Sequence, residues 1–207
     1  MAIRFYDEAL IKKISSWDVN NKLMIIKPDE VSRFFQINAD INNDKPLKLP
    51  LIAISRDTDI MVLNNNKKAM TFDGAEVRVL DDSNKNVELN KTFVLNAIPI
   101  QISYQLDIYT RELAEADEYL RNFVFNFINY PNLTIEIPYN NVKLMHESTI
   151  YLDKTIQDNS DIPQRLFPDQ FTRYTIKLIV DNAYLFSAPS KDILSIDSNV
   201  SVDNKNQ

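Results

Sequence analysis

The chain has 207 residues, a length suited to one domain, with 44% apolar and 25% charged residues, the composition of a protein able to bury a core. Acidic residues number 29 against 23 basic, a net charge of −6, so no basic surplus exists to neutralise phosphates and a general nucleic-acid binder is not expected. Zero cysteines, one histidine (His146) and one glycine (Gly74) exclude disulfides, thiolate or His-rich metal centres and glycine-rich phosphate loops.

The N-terminal segment carries Asp7, Glu8, Lys12 and Lys13 and has no apolar run of the kind a signal peptide needs. Nor does any stretch approach the ~20 apolar residues of a membrane helix. Over 5–17, Phe5, Ala9, Leu10, Ile14 and Trp17 recur at helical spacing and predict an amphipathic helix. Leu23–Ile26 reads as a short buried strand. Pro28, Asp29 and Glu30 are a helix-start signature, with Val31, Phe34, Phe35 and Ala39 on the inner face. A loop over 42–50 leads to a strand over Leu51–Ser55.

From 57 to 95 the pattern dissolves into turn clusters, and the only glycine, in Asp73-Gly74, suits a hairpin turn. This stretch is expected to be a hairpin-bearing insertion, too short and polar to be a domain.

Pro99–Tyr109 alternates strictly: Ile100, Ile102, Tyr104, Leu106 and Ile108 against Gln101, Ser103, Gln105, Asp107 and Tyr109. That predicts a strand with one face on the core and the other wet. Thr110 is expected to cap a helix over 111–129 with Glu112 in its first turn. Leu113, Ala116, Leu120, Phe123, Val124 and Phe127 follow its inner rhythm, and Arg111/Glu115 and Asp117/Arg121 stand as i,i+4 pairs. Strands follow over Leu133–Ile137, near Ile150–Ile156, and over Phe171–Val180, with His146 in a loop or strand edge. The expected class is α+β, an antiparallel-rich mixed sheet with a long helix packed on one face. Residues 1–197 form a single domain in this reading, and the polar residues 198–207 a disordered tail, removable without unfolding.

No chemistry stands out. A Ser/His/Asp hydrolase would have to use His146, and no G-x-S-x-G elbow exists. Adjacent acids such as Asp7-Glu8 and Asp117-Glu118 do not face one target. Asp158–Asp161 lacks the glycine of a calcium loop. Aromatics are the remaining signal. Phe125 shares no face with Phe123 and Phe127 and should project from the helix as a candidate protein contact. Tyr109, on the polar side of its strand, points the same way. No catalytic, metal or cofactor site is expected.

The run Ile98–Pro131, IPIQISYQLDIYTRELAEADEYLRNFVFNFINYP, resembles the strand–helix unit of phage tail terminator proteins, most closely the tail-sheath stabilisers of contractile-tailed phages. The shared features are a proline before the strand, an aromatic-Q-L-D-I-Y-T strand end, an acidic helix start and a proline stop. Phe171–Phe186 resembles the closing strand with its aromatic exit, Tyr184 and Phe186, which join Tyr109 and Phe125 as candidate interface residues. Leu47–Asp57 resembles the first strand, and 58–95 has no counterpart.

The resemblance implies a non-enzymatic virion structural protein at the tail–neck junction, made in the host cytoplasm. It implies a homohexameric ring that caps the tail tube, touches sheath and neck or connector proteins, and lets genomic DNA pass as cargo, with no membrane. Alternatives are a head-completion, neck-adaptor or baseplate protein. A small hydrolase or sugar-binding module using carboxylates and aromatics is a third class of reading.

Overall fold

The structure is a computed structural model that describes residues 3–18, 23–38, 48–63, 70–72, 78–80, 95–139, 142–160 and 171–186. Twelve elements follow in the order α1 (Ile3–Ser15), β1 (Met24–Ile26), α2 (Val31–Asn38), β2 (Leu51–Arg56), β3 (Met61–Val62), β4 (Met70–Phe72), β5 (Arg78–Leu80), β6 (Leu95–Thr110), α3 (Leu113–Asn129), β7 (Asn132–Tyr139), β8 (Val142–Asp158) and β9 (Thr172–Phe186). The fold is α+β, with one curled mixed sheet in the order β1-β2-β6-β9-β8-β5; β3 and β4 also pair with β6, and β7 with β8.

β6 is the spine of this sheet. Its alternation puts Ile100, Ile102, Tyr104, Leu106 and Ile108 into one core with Ile52 and Ile54 of β2 and Ile176, Leu178 and Val180 of β9. Two helices, not one long helix, cover that face. α1 buries Tyr6, Leu10 and Ile14, one stripe at i,i+4 spacing, and α3 buries Ala116, Phe123 and Phe127. Trp17, just past α1, joins them: its ring lies 4.8 Å from Phe127, edge-on, and 6.1 Å from Phe123. On the same face, Asp7 of α1 accepts from Arg56 Nη1 at 2.6 Å and from the Tyr104 hydroxyl at 2.7 Å. Burial raises the Asp7 carboxyl above its ordinary value, against the lowering effect of those two partners.

The expected wet face of β6 is covered at one end. Tyr109 packs with Ile26, Leu51, Ala53 and Phe171 in a second, smaller core, against which Val31 and Phe34 of α2 also pack. Strict alternation reports which residues share a face, but not what covers that face. Here β1, α2 and Phe171, all distant in sequence, supply the cover.

α3 begins at Leu113, with Glu112 as its N-cap residue in extended conformation. Thr110 caps nothing; its hydroxyl donates to the Glu112 carbonyl at 2.9 Å. Arg111 therefore lies outside the helix and makes no helical pair with Glu115, while Asp117 accepts from the Tyr174 hydroxyl at 3.0 Å. The helix does stop before Pro131, with the Tyr130 N–H bonded to the Asn126 carbonyl at 2.9 Å. Within 57–95 the described pieces extend the sheet: β3 and β4 continue along the rim of β6 beyond β2, and β5 pairs with β8. The Asp73-Gly74 turn, most of the 42–50 loop and the tail 198–207 lie outside the described residues.

Candidate functional site

The four sequence-selected residues fall in three different settings. Phe125 is 60% exposed on the outer face of α3, with Ile128 at 63% one turn on and Tyr130 at 62% just past the helix end. The core stripe Ala116, Phe123 and Phe127 fixes this, because Phe125 lies about half a turn from its neighbours at 123 and 127. Leu113, at 55%, adds apolar surface at the start of the same helix. A run of exposed apolar side chains on one helix is the kind of surface proteins use for contact.

Tyr109 is instead 4% exposed, so it offers no surface to a partner. Its ring meets Phe171 edge-on at 5.5 Å and lies under the Arg173 guanidinium at 5.5 Å. Beneath it sits a buried polar cluster. Asp107 Oδ1 accepts from Thr175 Oγ1 at 2.6 Å and from Arg173 Nε at 3.3 Å. Oδ2 accepts from Gln105 Nε2 at 2.8 Å and from Arg173 Nη2 at 3.0 Å. Asn159 Nδ2 donates to Thr175 Oγ1 at 2.8 Å, so β6, β9 and the end of β8 are tied together. Burial alone would depress the guanidinium, but the hydrogen bonds and charge of Asp107 outweigh it and hold Arg173 above its ordinary value. A carboxylate with four donors is held for structure; no lone pair is left aimed at a substrate.

Tyr184 and Phe186 are half-buried at the end of β9 and flank His146. The imidazole meets Tyr184 at 5.1 Å and Phe186 at 5.8 Å, both edge-on. His146 is not in a loop: it sits inside β8 opposite Ile135, 8% exposed. Sequence reasoning missed it because His146 and Ser148 are polar side chains on a core-facing row.

A backbone irregularity makes that position possible. The β6–β9 register shifts between Ile102↔Val180 and Ile100↔Ala183, so β9 carries one extra residue there, and Asn182 has φ 54°. Asparagine tolerates this left-handed conformation better than any β-branched residue. The bulge turns the Asn182 carbonyl toward β8, where His146 Nε2 lies at 2.8 Å and Ser148 Oγ donates at 2.9 Å. A carbonyl only accepts, so Nε2 carries the proton. Ser148 Oγ is 3.2 Å from that nitrogen, which therefore cannot take the hydroxyl proton as a general base would. Tyr6 completes the cluster, its oxygen accepting from the Tyr184 N–H at 2.8 Å.

Asn182→Val should cost more than about 1 kcal/mol, since a β-branched side chain is strained at positive φ, whereas Asn182→Gly should be nearly neutral. Urea denaturation of both variants checks this, and equal losses would mean the side chain, not the backbone conformation, is what matters.

Among the described residues no group of three or more His, Asp or Glu side chains could hold a metal ion, and no helix is long and apolar enough to cross a membrane. No protein-family model matches the chain, and no curated protein matches it.

Proposed function

We propose that this protein is a structural, non-enzymatic component of a phage virion: a tail terminator or sheath stabiliser that closes into a homohexameric ring on the head-proximal end of the tail. One observation carries the reading. The Ile98–Pro131 segment behind the family resemblance forms β6 followed by α3, and that helix turns Phe125 and Ile128 outward, 60% and 63% exposed. A protein whose work is to bind other proteins needs such a surface, and its polar clusters can then serve architecture alone. The net charge of −6 suits a neck through which DNA must pass without being held. Tube, sheath and neck proteins are its partners in this account, and it takes no cofactor.

Two experiments test it. Virions lacking the protein should have tails of irregular length or tails unjoined to heads; normal virions would sink the proposal. Phe125→Glu should change folding stability by no more than about 0.5 kcal/mol, because the side chain is on the surface, yet abolish capping of purified tail tubes. Capping that survives the substitution would remove α3 from the contact.

A further inference from the structure

At the end of the sheet that holds Asp107, five strands cross in one row: Ile26, Ala53, Asp107, Thr175 and Gln157 stand side by side. The row is about 19 Å wide, four strand spacings. Its outermost strands are β1 on one side and the last part of β8 on the other, because β7 pairs with β8 only over 142–149. Among the described residues no strand pairs with the outer rim of β1 or with the outer rim of 156–158.

The backbone shows which groups point outward. Met24 N–H bonds the Pro50 carbonyl, so the next N–H, that of Ile25, points away from β2. Asn159 N–H bonds the Arg173 carbonyl, so the N–H groups of Ile156 and Asp158 point away from β9. Both rims span three residues.

Strand sense also matches. β1 runs parallel to β2, and β2, β6, β9 and β8 alternate antiparallel. Continued in the plane of the row, β1 of one copy is antiparallel to β8 of the next, the more stable pairing. In that sense the outward-facing Ile25 of one copy stands opposite Ile156 or Asp158 of the next, the residues whose N–H groups also face outward.

The rest of the sheet is treated differently. The rim of β7 is guarded by α1, with Lys13 Nζ donating to the Asn132 carbonyl at 2.8 Å and Lys12 Nζ to Glu136 at 3.0 Å. Lysines over an edge discourage another strand from adding. The row whose two rims pair with no strand among the described residues is the one stiffened by Asp107, Arg173, Thr175 and Asn159.

We infer that copies of this chain join head to tail through the backbone, the β1 rim of one adding to the 156–158 rim of β8 on the next. A contact between two different surfaces propagates around a closed ring and leaves no rim unpaired. The inference rests on the ring reading above and says which surfaces close the ring; α3 then stays outside the joint, turned toward the tube or sheath.

The test uses Ile25→Pro and Ile156→Pro, each removing one outward N–H while leaving the inner ladder bonds in place. Circular dichroism and thermal melting show whether each variant is folded, and mass photometry reads its assembly. Each variant alone should be monomeric where the unsubstituted protein assembles, and an equimolar mixture should form dimers and stop there, since each partner keeps one intact rim. Should either proline variant unfold, Ile25→Cys mixed with Ile156→Cys or with Asp158→Cys should give disulfide-linked dimers on oxidation, since the chain has no cysteine of its own, and no cross-link with either partner would overturn the inference. Rings indifferent to these substitutions would overturn the inference and leave the ring reading standing. Assembly through the rims without binding to tubes would do the reverse. An unsubstituted protein that never self-associates, free or on tubes, overturns both.

Discussion

Asp107→Ala should destabilise the fold by about 3–5 kcal/mol, the range for removing one partner of a buried ion pair. The Asp107 side chain is 8% exposed, and its loss leaves the Arg173 side chain, itself 19% exposed, without its counter-charge. Thr175 and Gln105 lose an acceptor as well, and each orphaned buried donor adds a penalty. Because Asp107 and Thr175 are direct cross-strand partners, the bond between them also fixes the register of β6 against β9. Asp107→Asn should cost less, since an amide oxygen still accepts, and Asp107→Ala/Arg173→Met should recover part of the loss by removing the stranded charge. Urea denaturation monitored by far-UV circular dichroism measures all three. A loss under about 1 kcal/mol for Asp107→Ala would show that water replaces the carboxylate readily and that the cluster does not hold the row.

Alkaline pH should unfold the protein steeply. Burial pushes the Tyr6 hydroxyl up to about 12, against the lowering effect of its hydrogen bonds. Burial, with the Asp7 charge beside it, raises Tyr104 further, and burial with Asp107 nearby also raises Tyr109. Unfolded tyrosine ionises near pH 10. Above that pH the unfolded chain releases three protons that the folded chain keeps, so these tyrosines leave stability unchanged below about pH 10 and lower it as pH rises beyond that. The slope is about 1.4 kcal/mol per pH unit for each tyrosine, and about 4 for three. Tyrosinate absorbance from these residues should therefore appear together with loss of circular dichroism. Tyr6→Phe should reduce the slope by about one proton. A midpoint that stays flat to about pH 12 would mean these hydroxyls reach water in the folded state.

Where the periodicity was long, the fold was legible. The ten-residue alternation of β6 and the core stripe of α3 identified both elements, and the stripe alone placed Phe125 on the outside. Burial of Tyr109 was not legible, because its cover comes from Phe171 and the β1–α2 segment, brought together only by the tertiary fold. The Asn182 bulge was hidden for a related reason: a single added residue leaves no mark in a hydrophobic pattern, yet it supplies the carbonyl that satisfies His146 and Ser148 on a core face. β3, β4 and β5 are two or three residues long, shorter than any window in which alternation can be counted. The candidate surface was thus half readable. Phe125 follows from helical arithmetic, but its neighbours Ile128 and Tyr130 needed the folded structure, since an apolar residue can lie in the core or on the surface.

In the proposed role this protein closes the end of a tail. Negative-stain imaging of the purified protein mixed with tail tubes of the cognate phage tests it most directly. Six-fold rings seated on one end of each tube are expected, with Phe125→Glu leaving that end bare. Unsubstituted protein that stays monomeric and leaves both tube ends uncovered would contradict it.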